Sequence, residues 1–113
     1  MASEAETLKV SPPARQILDY YTRRRLRWPT PEEAVLFAMT ELGEAADVLL
    51  QRKGGWTRNN PENKPEGTIE EVGEELGDTI MMLMVVGLRL GVDPLESLDA
   101  KLRRKLVEWE QSG

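Results

Sequence analysis

TIEEVGEELGDTIMMLMVVGLRLG, residues 68–91, decides the fold. Thr68 offers a side-chain oxygen at a helix N-cap, and Glu71 follows three residues later to complete a capping box. Gly91 supplies the left-handed stop. The stretch therefore predicts a helix over residues 69–90. Its second half, Ile80 to Val86, is apolar on every side. Such a helix must be buried all round, and four short helices cannot enclose one of their own. A homo-oligomer, homodimer or homotetramer, with this helix near the interface, is the expectation.

The same start-and-stop grammar recurs on either side. Thr30 with Glu33 and Asp93 with Glu96 repeat the N-cap spacing, and Pro31 and Pro94 occupy the first helical position, where a missing N–H costs nothing. Gly54 ends a periodic segment that opens at Pro31. Helices are predicted over 12–25 after Ser11, 31–53, 69–90 and 94–110. No stretch alternates as a strand does. The reading is an all-α, four-helix, bundle-like fold: one domain over residues 11–113, preceded by a flexible tail over 1–10. Met1 to Thr7 lack the basic and apolar stretches of a secretory signal, which points to a cytoplasmic location. No apolar run reaches the ~20 residues that span a bilayer.

The chain has 113 residues, 20 acidic and 15 basic, for a net charge of -5, and it contains neither histidine nor cysteine. Those absences remove Ser-His and Cys-His nucleophiles, thiolate or imidazole zinc sites, and the Glu-x-x-His ligands of di-iron bundles. The charge argues against a polymeric nucleic-acid partner. Any resident metal must be a hard ion held by oxygen.

Two tetrapeptides echo each other: Glu41-Leu42-Gly43-Glu44 in the second helix and Glu75-Leu76-Gly77-Asp78 in the third. Acids three apart share a helix face. Glu41 falls in an apolar stripe with Ala34, Phe37, Ala38, Ala45 and Val48, so it points inward, and Asp78 is bordered on one side by Met81, Met82 and Val85. Gathering carboxylates away from water is costly, and they repel one another until some protonate. A divalent cation cancels both penalties. Magnesium is the expected ion, with manganese the alternative, and its remaining coordination positions suit substrate phosphates. Gly43 and Gly77, costly in mid-helix, are expected to permit close helix approach on the side away from the metal.

These motifs and their flanks, Thr40 to Ala46 and Glu74 to Ile80 together with Gly91-Val92-Asp93-Pro94, resemble the MazG-like all-α nucleoside triphosphate pyrophosphohydrolases over about residues 28–109. The resemblance implies hydrolysis between the α and β phosphates to a nucleoside monophosphate and pyrophosphate. Glu41, Glu44, Glu75 and Asp78 would be the metal ligands, and Glu41 or Glu44 the catalytic base. It further implies a phosphate contact by Lys101, and less directly by Lys105, where relatives often have asparagine. Trp28 and Trp56 would stack on the base, while Met82 replaces a tyrosine of some relatives. Trp109 is expected to cap the core. Two other functions stay open: a non-catalytic helical interaction protein, and a hydrolase of another pyrophosphate-containing metabolite.

Overall fold

A computed structural model of the chain describes residues 10–54 and 67–112. Four helices and no strand occur among the described residues: α1 (Pro12–Arg24), α2 (Pro31–Arg52), α3 (Ile69–Arg89) and α4 (Pro94–Ser112). The all-α expectation is met. No helix among the described residues is long and apolar enough to cross a membrane. The predicted tail falls largely outside the described residues, as does Trp56.

Local chemistry explains the helix boundaries. The Thr68 hydroxyl oxygen accepts from the backbone N–H of Glu71 at 3.1 Å, as the capping box requires. At the other end of α3, Gly91 is left-handed (φ 85°) and the N–H of Val92 donates to Gly87 O at 2.9 Å, the six-to-one bond of a Schellman stop. Helix α1 ends without glycine. Arg25 itself is left-handed, with φ 52°, and the N–H of Leu26 donates to Tyr21 O. A basic residue in that geometry gives no sequence signal, which is why the predicted end overshot by one residue.

The chain divides into two compact units. One joins residues up to Pro31 with those from Met84 onward, and the other is the segment Glu32–Leu83. In the first, Ala14, Ile17, Tyr21, Met84 and Val85 are buried. Asp93 staples its helix starts together. One carboxylate oxygen accepts from the backbone N–H of Ser11 at 2.6 Å, and the other accepts from Leu95 N at 2.9 Å, capping α4. The Ser11 hydroxyl in turn accepts from Ala14 N at 3.3 Å and caps α1. Where α3 turns into α4 the chain is tight: a Cβ on Gly87 would lie 2.5 Å from Pro94 Cγ. The apolar stripe of α4, with Leu98, Leu102, Leu106 and Trp109, is exposed, and Trp109 is 73% accessible. Trp109 therefore caps no core, because the stripe it belongs to has no cover among the described residues.

The second unit is a helical hairpin with three different surfaces. At about 100° per residue, Ala34, Ala38, Glu41, Ala45 and Val48 form the sheltered stripe of α2, and Val72, Glu75 and Thr79 form that of α3. Small side chains dominate, which lets backbones approach closely. One flank is apolar and exposed, formed by Val35, Met39, Leu42 and Leu49 on α2 and by Ile69, Leu76, Ile80 and Leu83 on α3. Gly43 and Gly77 border this flank, and a Cβ on either would meet nothing within 4 Å. The expected close approach at these glycines is absent among the described residues. The other flank carries the acids.

Candidate metal centre

The carboxylates converge because the two motifs sit at matching heights on antiparallel partners of one hairpin. Oxygens of Glu41, Glu75 and Asp78 all lie within 4.8 Å of one another. Glu44, more exposed, stands outside this close triple, yet its carboxyl is near enough that its charge raises the pKa of both Glu41 and Glu75. All four predicted ligands are thus neighbours. Glu41 is half-buried rather than enclosed, since the flank on which it opens is acidic and faces water.

Electrostatics within the group are adverse. Loss of hydration and then the carboxyls of Glu44, Glu41 and Asp78 push the Glu75 pKa up to about 7. Glu41 is raised by the same causes, desolvation first and then the charges of Glu44 and Asp78. One oxygen of Glu75, Oε2, is buried and has no hydrogen-bond partner among the described residues. A buried acceptor without a donor is costly, and here the neighbours are further acceptors. A hard cation would satisfy that oxygen and offset the mutual repulsion; the donor set, carboxylate oxygen throughout, suits magnesium or manganese.

Two threonines flank the acids and were not singled out from sequence. Thr79 donates its buried hydroxyl to Glu75 O at 2.8 Å, and Thr40 donates to Leu36 O at 3.2 Å. Each bonds back one turn, which satisfies the hydroxyl inside its own helix. The acidic face also continues along α2. Glu44, Asp47, Val48 and Gln51, with Glu75 from α3, line a recess of about 210 Å³. Spacings of three, four and seven from Glu44 were the available signal, but a mixed carboxylate, valine and amide set carries no motif.

Of the remaining expected site residues, Lys101, Lys105 and Trp28 lie in the first unit, while Trp56 is outside the described residues. Lys101 and Lys105 are exposed on α4, in the same region as the surface ion pairs Arg103–Asp99 (3.0 Å) and Arg104–Glu108 (3.9 Å). The Trp28 ring stacks on Tyr21, with centroids 4.3 Å apart and planes 20° from parallel, so one of its faces is already covered. It borders a groove with Leu18, Thr22, Leu88 and Arg89.

The chain matches no protein-family model, no curated protein and no solved structure. Its chemistry rests on these side chains alone.

Proposed function

We propose that the protein is a magnesium-dependent, MazG-like pyrophosphohydrolase that cleaves nucleoside triphosphates to monophosphate and pyrophosphate. The observation that carries this reading is the close triple of Glu41, Glu75 and Asp78, one of whose members, Glu75, has a buried oxygen without a partner among the described residues. Those three carboxylates would hold the ion, which when bound supplies Lewis acidity toward phosphate oxygens and a water of lowered pKa. Ala34, Ala38 and Ala45 are buried on the same stripe of α2 as Glu41, which meets Glu75 and Asp78 of α3. Of the two α2 glutamates, Glu44 is the one left outside the triple. Its carboxylate is free to accept the proton of an attacking water, the general-base role. The open acidic flank gives a phosphate chain access to the ligands.

An assembly is part of the same proposal. The exposed apolar flank of the hairpin, bordered by glycines with open space above them, suits packing against a second copy in a homodimer or homotetramer. The same flank also favours the second reading, an interaction protein in which the ion only stabilises the hairpin.

Pyrophosphate release from a panel of canonical and modified triphosphates, with and without magnesium, separates them. Magnesium-dependent release from at least one substrate is expected, with a drop of at least about a hundredfold in Glu41→Gln or Asp78→Asn, since losing even a group that only hydrogen-bonds a metal ligand costs about 10–100-fold. Magnesium binding with every triphosphate left intact would overturn the triphosphate-hydrolase reading.

A further inference from the structure

Beyond Glu44 the carboxylate side of α2 continues into the recess shared by Asp47, Val48, Gln51 and Glu75. Val48 is held as its apolar wall. The chain at Gly67, with φ 89°, crosses so close that a Cβ there would lie 3.0 Å from Val48 Cγ1 and 3.3 Å from Arg52 Cγ. Gln51 is half-buried, and its carboxamide has no hydrogen-bond partner among the described residues. In the opposite direction along α2, Phe37 stands one turn before Glu41 and is 46% exposed. A nucleotide whose phosphates sit at the carboxylates can therefore run one of two ways along this helix, toward the recess or toward Phe37.

Resting on the pyrophosphohydrolase reading above, the geometry points to the recess as the seat of the nucleoside part of the substrate, with Gln51 as the residue that discriminates among bases. Gln51 lies seven residues beyond Glu44, about 10 Å along the helix axis, a reach that takes a ligand from phosphate past the sugar to the base. Its carboxamide presents donors and an acceptor side by side, the complement of an adjoining donor and acceptor on a base edge. Val48 offers the ring an apolar surface. A site that hydrogen-bonds a ligand group discriminates far more strongly than one that only encloses it, so the amide rather than the valine sets the preference.

Calorimetric binding of the four product nucleoside monophosphates, in magnesium and on the full chain, tests this in wild type, Gln51→Leu, Gln51→Glu and Phe37→Leu. Wild type is expected to rank the four bases. Gln51→Leu flattens that ranking by roughly tenfold at the preferred base, about the worth of one hydrogen bond, while its melting temperature and its affinity for magnesium alone stay unchanged. Gln51→Glu, which removes the donor but keeps the shape, changes the order of preference, and Phe37→Leu preserves it. An unchanged ranking in Gln51→Leu, a ranking lost in Phe37→Leu, or no base preference in wild type overturns the assignment. The two levels fail separately. Ranked monophosphate binding without triphosphate hydrolysis removes the activity and keeps the recess, whereas hydrolysis with a ranking indifferent to Gln51 does the reverse.

Discussion

Asp93, at the start of α4, and Glu75, in the middle of α3, are both carboxyls partly withdrawn from water, but they meet opposite surroundings. Burial alone would raise Asp93; the backbone N–H and hydroxyl of Ser11 and the N–H groups of Leu95 and Glu96 outweigh it and hold the carboxyl below its ordinary value. At Glu75 desolvation comes first and the carboxyls of Glu44, Glu41 and Asp78 add to it, so its pKa rises to about 7. Donors decide which acid is structural. The Asp93 site is complete within the chain, whereas the Glu75 site has no positive partner among the described residues.

If that contrast is right, removing Asp93 should be the most damaging of the structural changes. Asp93→Ala removes an N-cap and leaves the Ser11 amide without its partner, which together should cost about 2–3 kcal/mol by urea unfolding. A loss below about 0.5 kcal/mol would make the staple incidental. A pair of glycine substitutions tests packing in the same two regions. Gly87→Ala drives a methyl group into Pro94 and should cost about 1–3 kcal/mol. Gly77→Ala meets open space and should stabilise the isolated chain by up to about 1 kcal/mol through helix propensity. Equal effects at both positions would contradict the difference in packing.

The pH dependence should separate the two acids with the smallest signal. Asp93 has a folded pKa below the ordinary aspartate value of 3.8, so its contribution is present above that value and is lost as pH falls through the folded pKa. Glu75 has the reverse sign. With a folded pKa of about 7 against 4.5, the native state binds its proton more tightly, so metal-free stability declines as pH rises from about 4.5 to 7. Thermal melts across that window should show the decline without magnesium and its loss or reversal with magnesium. A metal-free profile that instead rises through the window would show that Glu75 is not the group in control.

Much of this architecture was legible because it is local. The Thr68 cap, Pro31 and Pro94 at helix starts, and Gly91 at a stop are each determined within four residues. The meeting of the acids was legible for a related reason: matched i, i+3 pairs on consecutive helices need only a hairpin to bring them together. What escaped is non-local. Ser11 and Asp93 are 82 residues apart, and no pattern joins them. Gly87 is small because Pro94 presses on it, while a Cβ at Gly43 or Gly77, identical in sequence, would meet nothing within 4 Å among the described residues. Trp109 continues a regular apolar stripe, but whether a stripe is covered depends on tertiary packing. Gln51 was missed because a lone amide two turns beyond an acid has meaning only once the recess beside it is seen.

Isothermal titration of magnesium into wild type and Glu75→Gln at pH 7.0, in two buffers of different ionisation enthalpy, probes the acidic cluster directly. Saturable binding with release of protons is expected for wild type, and affinity should fall by at least about tenfold in Glu75→Gln. Wild-type protein that takes up no magnesium, or a variant that binds it equally well without proton release in either case, would contradict a metal centre at these carboxylates.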